Sequence, residues 1–279
     1  IDTYEKLKQY KIKLVPFKQE YPFTKKLSIP YDVLFEKLPK IISVKYLRYI
    51  LYYLYLFKYG SKYSKVMITD IKDVIFQRNP FDFVFNGGLY CFLENNRSTI
   101  KTSPFNSGRI LRHFGTEVLE EIGDNHPSCS GTTFGSVLDL MDYLKGMIDL
   151  ITKIDTKGGG DQGLHNYLVY SGKLKNLKFI EDNKGSVLTI GSKLNREIHF
   201  NKAGLVINAD GEVFNTIHQY DRHPELFERF LKKYKLKLPM KFYLKYLWRW
   251  KNRFEDRLGG DFFNQLGWKI INLLKWKIK

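Results

Sequence analysis

Cysteine is scarce. The 279-residue chain has two, Cys91 and Cys129, at a spacing that fits neither a zinc site nor a redox pair. Packed thiols are the reading that remains, and they favour a reducing, cytoplasmic compartment. No run of 18 apolar residues occurs, so no transmembrane helix is expected. No signal-peptide pattern stands at Ile1, and the one sequon, Asn96-Arg97-Ser98, is too short a pattern to indicate secretion. Gly158-Gly159-Gly160 is not followed by Gly-Lys-Ser/Thr, which excludes a P-loop. No recognised nucleic-acid-binding motif is present. Acidic residues are also in short supply, 29 against 46 basic, leaving a net charge of +17. Such an excess calls for an anionic partner: a nucleotide, an anionic lipid surface or nucleic acid.

Apolar residues make up 43% of the chain, with 19 Tyr and 21 Phe. That supports one large α/β domain plus an appendage. The most informative stretch runs from Lys65 to Phe81. Val66-Met67-Ile68 is long enough for a buried strand, and it stops at Asp70 and Asp73, with Lys72 between them. The carboxyl ends of strands are where open α/β sheets bind ligands. Two anionic oxygens there suit a hard divalent cation, and a polar turn after a strand would read the same way. His218 ends another strand. Beside two carboxylates its imidazole would suit manganese and disfavour calcium; alone it would be a core or surface histidine.

Around this stretch the pattern is mixed. A helix ending over 4–10, a strand over 11–16 and a loop over 18–39 come first. A helix follows over 41–59, with positions 47, 50, 51, 54 and 57 on one face and Gly60 as its C-cap. A strand is expected over 88–93, a helix over 106–123, a loop over 127–131, a short strand over 132–135 and a helix over 136–154. Asp161 reads as a helix N-cap before an apolar helix over 164–169. Short strands are expected over 177–180, 187–190, 205–208 and 213–217, with a tight turn at Asn208-Ala209-Asp210-Gly211. His223-Pro224-Glu225 opens another helix. Beyond 236 the chain turns basic and aromatic. Phe262, Phe263, Leu266, Ile270, Leu273 and Leu274 alternate with Trp268, Trp276 and lysines, a pattern suited to a membrane interface or to a helix packed with a solvated basic face.

Four segments together resemble one family. Thr69-Asp70-Ile71-Lys72-Asp73-Val74-Ile75-Phe76-Gln77 with Asn79-Pro80-Phe81 is similar to the signature TDxRDVxFQxxPF of GT-A-type glycosyltransferases, the nucleotide-diphospho-sugar transferases. Ser130-Gly131-Thr132-Thr133-Phe134-Gly135 is similar to their acceptor-side loop, Asp161-Gln162 with Asn166 to their DQxxxN helix start, and Ile217-His218-Gln219-Tyr220-Asp221-Arg222 to their late HQYDR segment. The resemblance covers about residues 1–230. It implies a GT-A (Rossmann-like) mixed sheet flanked by helices over 1–235, followed by a basic helical tail over 236–279. It implies transfer of a sugar from a nucleotide-diphosphate sugar, a UDP-sugar, to a glycan or lipid-linked acceptor. Mn2+ or Mg2+ would sit on Asp70, Asp73 and His218. Arg48, Lys72 and Arg222 would hold the diphosphate, and Ser130, Gly131 and Thr132 the sugar. Asp161 and Gln162 would be catalytic, Asp161 serving as base if the enzyme inverts. Two features depart from the family: the spacing is Asp-x-x-Asp instead of Asp-x-Asp, and the earlier base-contacting strand has no counterpart. A catalytically inactive GT-A scaffold remains an alternative. So does a basic protein that binds nucleic acid or an anionic membrane surface, although the absent nucleic-acid motif weighs against the former.

Overall fold

A computed structural model describes residues 12–13, 43–155, 160–235 and 246. It is a mixed α/β protein, divided into two compact units. The first takes residues 1–68 and 85–180, the second 69–84 and 181–279. Ile12 and Lys13 carry no strand. The expected helix over 4–10, the rest of the strand over 11–16, the loop over 18–39 and, apart from Tyr246, the tail over 236–279 lie outside the described residues. Among the described residues, no helix is long and apolar enough to cross a membrane.

The first described helix of the first unit is α1 (Val44–Tyr59). Its buried face holds Tyr46, Leu47, Tyr49, Ile50, Tyr53, Leu54 and Leu56, broader than the expected aliphatic stripe. Phe57, expected on that face, is 52% exposed. Tyrosines take the place, because a ring can bury its body and still direct its hydroxyl to a polar partner. Gly60 is the C-cap that the sequence suggests, in a right-handed conformation with φ −60° and its N–H donating to the Leu56 carbonyl. A Cβ there would lie 2.8 Å from Val137 Cγ1, so close packing requires the glycine.

A four-stranded sheet in the order β1-β4-β3-β5 backs this helix. Its strands are β1 (Lys65–Thr69), β3 (Leu89–Leu93), β4 (Ser128–Ser136) and β5 (Leu177–Ile180). β3 runs antiparallel to β4 and parallel to β5. The loop expected over 127–131 is a misreading: from Ser128 on, these residues are β4, buried up to Gly135. Small polar residues look like a turn in sequence. Here they fit a covered central strand because side-chain amides from a helix satisfy the backbone.

Three more helices of this unit are described. In α2 (Pro104–Ile122), Ser103 caps the Asn106 N–H and Gly115 interrupts the helix with φ 84° and ψ −175°. In α3 (Val137–Ile151), the Ser136 side chain accepts from Asp139 N–H. The last is α4 (Asp161–Tyr170), whose N-cap is Gly160, so Asp161 lies inside the first turn and is not the cap. Leu47, Ile50, Leu54, Leu140, Leu144, Met147, Ile148 and Leu164 are fully buried between α1, α3 and α4. Each contributes on the order of 1.5–3 kcal/mol of burial free energy.

The second unit is built on the strand order β2-β9-β6: β2 (Val74–Phe76), β9 (Thr216–His218) and β6 (Val187–Thr189). β2 and β9 are antiparallel with Val74 opposite His218; β6 and β9 are parallel with Thr189 opposite His218. β7 (His199–Phe200) and β8 (Val206–Ile207) form a separate pair. After β8 the expected turn closes at Gly211, which needs its φ of 82°. The strand expected over 213–217 narrows to a bridge at Val213 and to β9. Helix α5 (Pro224–Lys233) seals the core, with Phe227 and Phe230 packed on Ile217, Leu188, Ile190 and Phe214.

Candidate metal centre

β1 ends at Thr69. The chain turns through Asp70, Ile71, Lys72 and Asp73, then enters β2 at Val74. Antiparallel pairing sets His218 opposite Val74, one step from Asp73. Beyond β9, the Gln219 N–H donates to the Asp73 carbonyl at 2.7 Å, and Gln219 takes a left-handed φ of 63°. The Ile190 N–H donates to the His218 carbonyl at 3.0 Å on the other side. Backbone bonds therefore fix both halves of the group.

The three side chains converge. One ligand atom from each of Asp70, Asp73 and His218 lies within 4.8 Å of the others. His218 Nε2 is 3.5 Å from Asp70 Oδ2 and 3.9 Å from Asp73 Oδ1. Two donors bonded to one ion at about 2.1–2.2 Å stand about 3.0–4.4 Å apart, so these spacings fit a shared cation. The imidazole is buried, at 1%, while the Asp70 side chain is 35% exposed. The group is thus anchored at one end and open at the other. Thr189 Oγ1 lies 3.4 Å from His218 Nδ1, which orients the ring so that Nε2 faces the carboxylates. Two carboxylates and one imidazole suit Mn2+ well and tolerate Mg2+.

Two expected cations lie in the same unit. Lys72 is exposed, its Nζ 5.4 Å from the Tyr246 ring centroid. Arg222 ends the 3-10 turn Tyr220–Arg222 after β9 and reaches the loop after β6, where a Cβ on Gly191 would meet Gln219 Oε1 at 1.8 Å and Arg222 Nη1 at 2.8 Å.

The other expected residues gather in the first unit. The Arg48 guanidinium donates to Asp161 Oδ2 at 2.6 Å, to the Tyr49 hydroxyl at 3.0 Å and to the Ser130 carbonyl at 3.4 Å. Gln162 Oε1 accepts from the Ser130 N–H at 3.0 Å and from its hydroxyl at 2.9 Å. Gln162 Nε2 donates to Glu94 Oε1 at 2.9 Å and to the Ser128 carbonyl at 3.0 Å. Asn166, one turn on, clasps Ser128 through both ends of its amide. Ser130, Gly131 and Thr132 are buried in β4, and Thr132 Oγ1 makes no hydrogen bond among the described residues.

Sequence reasoning missed Glu94, Tyr49 and a buried chain from Ser128 Oγ to His165 Nε2 at 2.9 Å and from His165 Nδ1 to the Tyr143 hydroxyl at 2.8 Å. Burial, reinforced by the Arg48 charge, pushes the His165 pKa down to about 3, so the ring is neutral. The spacing of Gln162 and Asn166, which puts both on one helix face, was the available signal for the clasp on β4. No family model matches the chain, and no curated protein matches it.

Proposed function

We propose that the chain is a metal-dependent glycosyltransferase with a GT-A-type scaffold, moving a sugar from a nucleotide-diphosphate sugar to a glycan or lipid-linked acceptor. The observation that carries the reading is the Asp70–Asp73–His218 group, with its ligand atoms within 4.8 Å and its imidazole buried and oriented. A Mn2+ or Mg2+ ion bound there would supply positive charge to a leaving diphosphate. The chain's own residues supply the rest. Asp70 and Asp73 set the charge and openness of the site, and Thr189 keeps the His218 ring in place. Lys72 and Arg222 add positive charge within the same unit, suited to an anionic donor.

If the reaction inverts, Asp161 is the candidate base for the acceptor proton; if it retains, the leaving phosphate can take that proton. Arg48 holds its Oδ2 at 2.6 Å, and Oδ1 is the atom that would receive the proton. Gln162 positions the first turn of α4 by tying it to β4 and Glu94, and this fixes the direction of Asp161. The experiment is a titration of fluorescent UDP-sugar with and without Mn2+, followed by a panel of nucleotide sugars scored by nucleoside diphosphate release. Donor binding that strengthens with Mn2+ and collapses on chelation is expected. Binding that ignores chelator, or no binding across the panel, rejects the reading.

A further inference from the structure

Three polar atoms of the first unit are buried without a hydrogen bond among the described residues, and they share one neighbourhood. They are the Tyr46 hydroxyl on α1, and Arg109 Nε and His113 Nε2 on α2. Tyr46 as a whole is 0% exposed. The residues that carry them border the first turn of α4, and the Arg109 guanidinium also stacks 3.7 Å over the Phe105 ring centroid. A Cβ built on Gly160 would stand 2.8 Å from His113 Nε2 and 3.4 Å from the Tyr46 hydroxyl, and one built on Gly163 would stand 2.8 Å from Arg109 Cβ. Gly160 has φ 150°, a conformation that side-chain-bearing residues rarely adopt, and its missing side chain lets the hydroxyl and the imidazole approach the helix start closely. The first N–H groups of a helix have no partner within it and carry the positive end of its dipole. α4 is ten residues long, enough for that dipole to count.

We propose that this neighbourhood binds a phosphate-class oxyanion, with the Tyr46 hydroxyl, Arg109 Nε–H, His113 Nε2–H and the amino-terminal amides of α4 as its donors. A buried polar atom without a partner is rare in folded proteins and points to a missing ligand. Arg109 Nε can only donate. Single donors arriving from α1, α2 and α4 suit a tetrahedral oxyanion, whereas a carboxylate is best met by a paired guanidinium fork. Arg112 adds positive charge to the neighbourhood. The opposing charges are Asp155, Glu94 and Asp161, and Asp161 is already engaged by Arg48. Burial, with Asp161 next, pushes the Tyr46 hydroxyl up to about 12, so it stays a protonated donor at neutral pH.

The inference rests on neither the metal nor sugar transfer, and its test excludes both. The full chain is titrated with inorganic phosphate in chelator at constant ionic strength, reading Tm and the His113 imidazole resonances. A saturable rise in Tm with a shift of those resonances is expected. Tyr46→Phe deletes only the hydroxyl; it should keep its Tm in phosphate-free buffer and weaken phosphate binding roughly tenfold. Arg109→Met should weaken it likewise and serves as the independent second variant. Glucose 1-phosphate run in parallel separates the sources: affinity equal to that of phosphate supports a phosphorylated ligand, and exclusion of the ester supports free phosphate. Glucuronate binding as tightly as phosphate would overturn the phosphate class. No saturable effect, or wild-type affinity in both variants, would overturn the site.

Discussion

At the scale of single residues, the metal group can be taken apart without touching the core. Asp70 and Asp73 lie in a turn, so Asp70→Asn and Asp73→Asn should each lower Mn2+ affinity by at least about tenfold while leaving the circular dichroism spectrum unchanged. Mn2+ titration by electron paramagnetic resonance reads this directly, and wild-type affinity in both variants would remove the site. His165 is the opposite kind of residue, a buried base with no room for charge. Its pKa falls from about 6.5 in the unfolded chain to about 3 in the folded one. Between those values the unfolded state binds a proton that the native state does not, so stability is lost as pH falls through that window. The loss approaches about 1.4 kcal/mol per pH unit from this group. Urea titrations between pH 7 and pH 4 should give a shallower acid dependence in His165→Asn than in the wild type. Identical slopes would show that His165 is protonated in the native protein.

At the scale of elements, the Arg48–Asp161 pair joins α1 to α4 and is the link most open to test. The two side chains are 18% and 16% exposed, so the pair is neither screened as at a surface nor sealed as in a core. Arg48→Met leaves Asp161 with the longer donation from the Tyr49 hydroxyl at 3.4 Å in place of the guanidinium; this should cost about 1–3 kcal/mol, with part of the loss recovered in the Arg48→Met, Asp161→Asn double variant. Urea denaturation of the four forms measures the coupling; additive effects would mean that the pair does not interact. This pair also shows where sequence reading succeeds and where it stops. β1, β3, α1, α3 and α5 follow from local apolar pattern and helix caps, and all stand close to their expected bounds. β4 does not, because Ser128 to Gly131 owe their strand to Gln162 and Asn166, which lie in a helix that the chain reaches only later. The convergence of Asp70, Asp73 and His218 depends on the β2–β9 register, a tertiary fact; residue types alone could name the ligands but not bring them together. The partners of Arg48 were hidden for the same reason.

At the scale of the whole molecule, the net charge of +17 and the aromatic carboxyl-terminal sequence are the features on which membrane attachment would rest. One residue there has a place. Tyr246 is 6% exposed and packs on Phe227, with ring centroids 4.4 Å apart, in the core of the second unit. A chain cut at residue 236 loses that ring and should be less stable by about 2–4 kcal/mol, whatever the later residues do. A cut after residue 254 keeps Tyr246 and removes Phe262, Phe263, Leu266, Ile270, Leu273 and Leu274 with Trp268 and Trp276. It also removes Lys269, Lys275, Lys277 and Lys279, each worth about 1 kcal/mol at an anionic surface. If this segment attaches the protein to a membrane, the shorter cut keeps the wild-type Tm but lowers co-sedimentation with anionic liposomes. Attachment in the full chain should weaken with salt without vanishing, because salt screens the lysines and leaves the apolar contribution intact. Equal sedimentation of full-length and shortened protein would sink the anchor. A Tm that falls with the shorter cut as far as with the longer one would instead favour a segment whose apolar residues stabilise the fold over a membrane anchor.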